Sequence, residues 1–169
     1  MNLALGTEVE KDSKLLDRIN SYISQEWILS LKNPEPRRIF LTVKRDHFKE
    51  ALAKLLKEEG ITHLITITGV DLGEEIEVIY HLERSGTILS VKVVTPKNRP
   101  VLPSITDLMG GATFYEREVH EILGVEFEGH PDLSRLILPE GWPKGLYPLR
   151  KDVSIETIRA EMEKIEKKE

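Results

Sequence analysis

Seven of the nine prolines in this chain fall between Pro96 and Pro148, and that concentration constrains the fold more than any other feature. Each proline fixes φ and removes a backbone donor, which excludes long helices and central strands over most of the span. The span is not polar filler, however. Leu133, Leu136, Ile137, Leu138, Trp142, Leu146 and Leu149 would leave substantial apolar area in water if the segment were a free loop, at roughly 25 cal/mol per Å². A structureless stretch much beyond about 15 residues is uncommon inside a compact domain unless it is functional or bound. Either it packs across its own domain or it lies along another subunit. From 114 to 152, apolar side chains, paired charges and prolines interleave with too little periodicity to build a core. That combination suits a surface made for a partner.

The preceding part of the chain is more regular. Apolar residues Leu15, Leu16, Ile19, Tyr22, Ile23 and Trp27 recur at helical spacing, which predicts a helix from Lys14 to Leu31 with Asp12 or Ser13 as N-cap. The sequence NPEPRR breaks the pattern, and residues 39–43 (IFLTV) read as a strand. Asp46 is placed to cap a second helix, whose Phe48, Ala51, Leu52, Leu55 and Leu56 share one face and which stops at Gly60. Three strands follow, at 61–68 with Ile61, Ile65 and Ile67 on one face, at 75–82, and at 87–94. The short connections around Gly73 and Gly86 predict antiparallel neighbours.

The expected fold is therefore α+β: a small antiparallel sheet in β-α-β-β-β order with helices on one face, an N-terminal helix, and a long proline-rich C-terminal arm ending in a helix. The expected organisation is an α+β domain over 1–95, a partner-binding helix and extended arm over 96–152, and a charged helix over 153–169. In that last helix Ile155, Ile158, Met162 and Ile165 form a narrow apolar seam.

Composition narrows the function. The length of 169 residues suffices for one core with extensions, and the net charge of −5 with no basic block argues against nucleic acid as a partner. The chain has no cysteine, which removes thiolate nucleophiles, Cys-based zinc sites and all-cysteinyl iron–sulfur clusters. No apolar run is long enough to span a membrane, and the N-terminus turns acidic too early for a signal peptide, so membrane association is expected only through partners. Charged residues make up 31%, with one Gln and four Asn, a bias that thermophile proteins share.

The one cluster that suggests catalysis is Glu116, Glu118, His120, Glu121 and His130. Glu116 and His120 stand four apart, a workable spacing for two metal ligands on a helix, and with His130 they define an alternative reading as a stand-alone metal-dependent hydrolase. Against it, Gly124 stands where a zinc-protease helix needs its second histidine, and the Glu-x-x-His repeat of di-iron proteins is missing. No catalytic or metal-binding residue is therefore assigned. Arg117, Glu118, Asp132, Arg135, Arg150, Lys151 and Asp152 instead set opposite charges beside apolar anchors, which predicts bidentate salt bridges in a partly buried interface. His47, His63 and His81 read as structural. No phosphate-binding glycine loop or dinucleotide fingerprint is present, and Gly110-Gly111 reads as a bend.

Glu116-Arg117-Glu118-Val119, Gly124-Val125, Phe127, Gly129-His130-Pro131-Asp132-Leu133, Arg135, Ile137-Leu138-Pro139-Glu140, Trp142 and Pro148-Leu149-Arg150-Lys151-Asp152 together resemble the signature of the 30-kDa subunit family of respiratory complex I, the NADH:quinone oxidoreductases. The resemblance implies a subunit of the peripheral arm that carries no cofactor and holds a large catalytic subunit, with its C-terminal segment running over that partner. Quinone-linked members carry an aromatic and Asp where this chain has His120-Glu121, Met-Phe in place of Ile122-Leu123, and tryptophan near 104–106. These departures resemble more closely the subunit of energy-converting, membrane-bound nickel–iron hydrogenases. By resemblance, the partners are the large catalytic and small iron–sulfur subunits, with the membrane arm reached indirectly. Iron–sulfur clusters and a nickel–iron site belong to those partners, and the location is peripheral, on the cytoplasmic face of the membrane. The positions expected at the interface are Glu116, Arg117, Glu118, His120, His130, Pro131, Asp132, Leu133, Arg135, Trp142, Pro148, Leu149, Arg150, Lys151 and Asp152. A related complex that reduces quinone or sulfur compounds shares every one of these expectations.

Overall fold

A computed structural model describes residues 2–166 of the chain. The first helix, α1 (Asn2–Tyr22), begins earlier and ends sooner than its apolar spacing predicts. Asp12, expected as an N-cap, lies inside it and is 2% exposed. Its carboxylate accepts Asn33 Nδ2 at 2.9 Å, the Arg37 N–H at 2.5 Å and Thr87 Oγ1 at 3.1 Å, so it pins α1 to two distant turns. The expected end of that helix is instead a strand, β1 (Ile28–Glu35), which pairs antiparallel with β2 (Arg38–Val43). Pro34 is tolerated because β1 is an edge strand with irregular register.

A 3-10 turn (Arg45–His47) leads into α2 (Phe48–Glu59), and no side chain caps either start, so Asp46 does not have its expected role. Gly60 does stop α2, in the left-handed conformation with φ 62°. The remaining strands are β3 (His63–Asp71), β4 (Glu75–Arg84) and β5 (Thr87–Pro96), joined by hairpins.

The sheet order is β1-β2-β5-β4-β3. It is mixed rather than antiparallel throughout, because β2 and β5 pair in parallel, with Leu41 opposite Val91. The reason is the crossover: α2 carries the chain from β2 to the far edge, so β3 runs in the same direction as β2, and two hairpins return β5 to that direction beside it. The inward phase of β3 also differs from expectation. Leu64 and Ile67 are buried while Ile65 is 36% exposed, because an irregularity between Leu64 and Thr66 inserts one residue into the ladder.

The inner face of the sheet (Ile39, Leu41, Val43, Val78, Tyr80, Leu82, Leu89, Val91, Val93) packs against Leu15 and Ile19 of α1, Ile23 just after it, and Phe48, Leu52 and Leu55 of α2. At the end of α2 the Glu59 side chain is fully buried, and receives Arg18 through two bonds of 3.1 and 3.0 Å and Arg84 Nε at 2.7 Å.

Beyond the sheet come β6 (Val101–Pro103), α3 (Ala112–Leu123) and β7 (Glu126–Glu128), with β6 and β7 paired in parallel. The helix α3 lies close against β3, where a Cβ on Gly69 would sit 2.3 Å from Leu123 Cδ1. The arm then runs to α4 (Ile155–Glu166); residues 167–169 of the expected C-terminal helix lie outside the described residues. After Phe127 the described residues are half-buried or exposed, though the side chain of His130 is itself fully buried.

Candidate partner-binding surface

Helix α3 divides into two faces by its spacing. Ala112, Glu116, Val119 and Leu123 are buried against the body. Arg117 and the buried Glu121 bond to the arm, whereas Phe114 is exposed beside them. The helix ends at Gly124, whose φ of 76° is left-handed and whose N–H bonds His120 O at 2.8 Å.

Glu116 is fully buried and accepts Ser104 Oγ at 2.7 Å and the Ile105 N–H at 2.8 Å. Burial pushes its carboxyl up, against the opposing pull of those two donors. It is thus a brace between α3 and the 104–106 loop rather than a surface residue. Arg117 spans to the arm: Nε donates to Ser134 O at 3.0 Å, and the guanidinium also reaches Ser134 Oγ at 3.0 Å and Arg135 O at 2.7 Å. The same guanidinium lies 5.9 Å from the Phe114 ring centroid. Glu118 is half-exposed beside it. His120 Nδ1 lies 2.8 Å from Val125 O and 3.7 Å from Glu126 Oε2, so it braces the turn after α3.

Glu121, absent from the expected interface set, is the acceptor on which the arm hangs. Its carboxylate receives the N–H groups of Leu136 at 3.2 Å, Ile137 at 2.6 Å and Leu138 at 3.1 Å. No local pattern in the sequence marks it, since its partners are three backbone amides some 15 residues on. The turn that begins the arm is set by His130: Nε2 bonds Thr113 O at 3.1 Å and Nδ1 accepts the Asp132 N–H at 3.0 Å. The two ring nitrogens thus tie the turn at once to α3 and to its own backbone. Asp132 accepts the Ser134 N–H and hydroxyl at 2.8 and 3.0 Å, which hold its carboxyl below the usual range. Pro131 is exposed in this turn, and Leu133 is the arm residue that packs against the core.

Further along, Arg135 clasps Pro139 O at 2.9 Å and Trp142 O at 2.5 Å, and Trp142 Nε1 donates to Leu146 O at 2.8 Å. A cavity of about 260 Å³ remains between this loop and α3, walled by His120, Leu133, Leu138, Trp142 and Tyr147. The exit is anchored where Leu149 N–H bonds Ile122 O at 3.2 Å and Arg150 Nε bonds Leu123 O at 2.7 Å. Arg150 also stacks on Tyr147 at 4.4 Å, with Pro148 half-buried between them. The Lys151 N–H meets Asp71 Oδ2 at 2.8 Å, and Lys97 Nζ bridges Asp71 at 2.8 Å and Asp152 at 2.7 Å.

The arginines therefore do not form the expected bidentate salt bridges. Arg117, Arg135 and Arg150 point their forks at backbone carbonyls, because an irregular, proline-rich segment leaves many carbonyls without ladder partners. Asp152 alone of the expected acids enters a salt bridge, and its partner is Lys97 of the body. The candidate metal cluster does not converge either. Glu116 and His130 approach to 4.0 Å, while His120 turns away to Val125. Among the described residues, no three His, Asp or Glu side chains are arranged to hold a metal ion.

Large apolar side chains stand exposed among the charged ones on and beside the arm: Phe114 is 61% exposed, Ile137 57%, Leu149 59% and Leu136 39%. Leu136, Ile137 and Leu149 stand beside hydrogen-bonded anchors, which set their positions while the arm is in place.

The chain is similar to several known proteins. An NADH-quinone oxidoreductase subunit of Phocaeicola vulgatus is 40% identical over 116 residues, which is 66% of this chain but 22% of that protein. Membrane-bound hydrogenase subunit beta of Pyrococcus furiosus is 34% identical over 120 residues, 68% of this chain and 69% of that protein. A chain of the membrane-bound sulfane sulfur reductase, an archaeal respiratory membrane complex, superposes with a TM-score of 0.75 at 29% identity, covering 91% of this chain and 92% of that one. Residues 41–159 match the family described as respiratory-chain NADH dehydrogenase, 30 Kd subunit, which spans α2, most of the sheet, α3 and the whole arm, and this chain belongs to that family.

Proposed function

We propose that this chain is a structural and assembly subunit of a complex I-like, membrane-attached oxidoreductase, and that it braces the large catalytic subunit through α3 and the arm. The observation that carries this reading is the arm itself, an irregular segment held by backbone-directed arginines and Glu121 with Phe114, Leu136, Ile137 and Leu149 facing outward. Exposed apolar side chains on a fixed frame suit a permanent partner. Glu116 and His130 act from beneath as braces. Arg117, Glu118, Asp132, Arg135, Trp142 and Pro148–Asp152 either hold the frame or border the partner.

The redox chemistry resides in the partners. With no cysteine, this chain has no thiolates for an iron–sulfur cluster. Iron–sulfur clusters in the small subunit and a nickel–iron site in the large one carry electrons to protons if the complex is a hydrogen-evolving hydrogenase, the reading that the hydrogenase beta subunit supports. A sulfur-reducing complex is the second reading, supported by the near full-length likeness to the sulfane sulfur reductase chain. No helix among the described residues is long and apolar enough to cross a membrane, which fits attachment to the cytoplasmic face through the other subunits.

The test is affinity purification of the chain from its native membranes in mild detergent, with companions identified by mass spectrometry and the same sample assayed for hydrogen evolution and sulfane sulfur reduction. Recovery with a large catalytic subunit supports the bracing role, and the activity selects between the two chemistries. Recovery of a lone soluble chain contradicts both.

A further inference from the structure

The contacts between the arm and α3 are reciprocal. Glu121 accepts three successive arm amides, and the arm returns the Leu149 N–H and the Arg150 guanidinium to the C-terminal carbonyls of Ile122 and Leu123. Those carbonyls would otherwise be orphans of the helix end. Nearly everything that holds the arm is polar. Leu133 alone of its apolar residues packs against the core, and the one strap side chain shown fully buried is His130, at the strap's beginning. A segment held by exposed and part-buried hydrogen bonds, with little apolar burial, opens at a lower free energy than the core beneath it. Meanwhile Pro131, Pro139, Pro143 and Pro148 narrow the conformations available when it is open, which favours reclosure.

We infer that residues 129–152 form a strap in local equilibrium between open and closed states, that Glu121 is the positioning residue that sets this equilibrium, and that the partner binds the closed state. The last element rests on the bracing role proposed above, whereas the first two concern the chain alone. One side chain serves three amides here through its two carboxyl oxygens. A Gln in its place offers one acceptor oxygen and turns a donor toward the same N–H groups. Partner binding then shifts the population toward the closed strap, because the exposed Leu136, Ile137 and Leu149 keep fixed positions relative to α3 and its exposed Phe114 only in that state.

Hydrogen exchange of the full chain tests this, with the amides of Leu136, Ile137 and Leu138 compared with those of Leu41 and Val91 in the sheet. In the free chain the arm amides are expected to exchange faster than the sheet amides but more slowly than an unstructured peptide. Glu121→Gln is expected to speed the arm amides by roughly tenfold or more, the equivalent of a lost charge-assisted bond, and to leave the sheet amides unchanged. Arm amides that exchange at the sheet rate, or at the unstructured rate, would overturn the equilibrium. A Glu121→Gln chain whose arm is unaltered, or whose sheet accelerates equally, would overturn the role of Glu121. In the purified complex the same amides should reach the protection of the sheet, and exchange there at the free-chain rate would overturn selection of the closed state. The free-chain measurements involve no partner, so their failure is distinct from failure of the bracing role.

Discussion

Asp71 lies at the end of β3 with its carboxylate facing Lys97 Nζ at 2.8 Å, the Lys151 N–H at 2.8 Å and the Gly73 N–H at 2.7 Å. The Lys97 ammonium is the main reason its pKa falls from 3.8 to about 2, with the two amides adding to it. A depressed carboxyl contributes stability that is fully present above its unfolded value and is lost as pH falls through the folded one. The melting temperature of the wild type should therefore drop between pH 3.8 and about 2 by more than that of Asp71→Asn. Parallel acid limbs for the two proteins would contradict the assignment. Glu116 has the opposite sign: burial raises its pKa, so its ionisation opposes folding, and its contribution declines as pH rises above the ordinary carboxylate range. Glu116→Gln should lose that dependence. Glu116→Ala should strand the Ser104 hydroxyl and the Ile105 N–H, lowering stability by about 2–4 kcal/mol in urea titrations.

At the scale of elements, α3 and the arm depend on one glycine. A Cβ at Gly124 would stand 2.4 Å from the Tyr147 ring and 2.8 Å from Arg150, at a φ of 76°. Gly124→Ala is therefore expected to displace Tyr147 and Arg150, to free the Leu123 carbonyl, and to lower stability by about 1–3 kcal/mol. Exchange of the Leu149 and Arg150 amides should rise, and a variant with unchanged exchange there would refute the packing argument. Much of the element order was legible, because the α2 face, Gly60 and the two hairpins are local signals. The strand β1 was not, since Trp27 and Leu31 continue the helical spacing of α1 across the break at residues 23–27. The parallel pairing of β2 with β5 is non-local and leaves no mark on either strand. The irregular course of the arm over residues 129–152 was legible from its prolines. Its fastenings were misread, because a sequence shows which charges are near one another but not that Arg117, Arg135 and Arg150 select carbonyls or that Glu121 selects amides.

For the molecule as a whole, the sheet and its three helices form the base, and in the bracing account proposed above the arm converts one flank of that base into a binding surface. This division predicts that surface substitutions separate folding from assembly. Phe114→Asp and Ile137→Asp change side chains that are 61% and 57% exposed, so stability should shift by no more than about 0.5 kcal/mol. The same charges placed in a desolvated apolar interface oppose association strongly. Arg117→Ala should behave similarly, weakening assembly more than folding. The most direct measurement is the amount of large catalytic subunit recovered from native membranes with the Phe114→Asp/Ile137→Asp chain, relative to wild type, alongside the melting temperature of each free chain. The bracing account predicts at least a tenfold loss of recovery, equivalent to about 1.4 kcal/mol of association free energy, with an unchanged melting temperature. Full recovery of the large subunit with the doubly charged chain would contradict it.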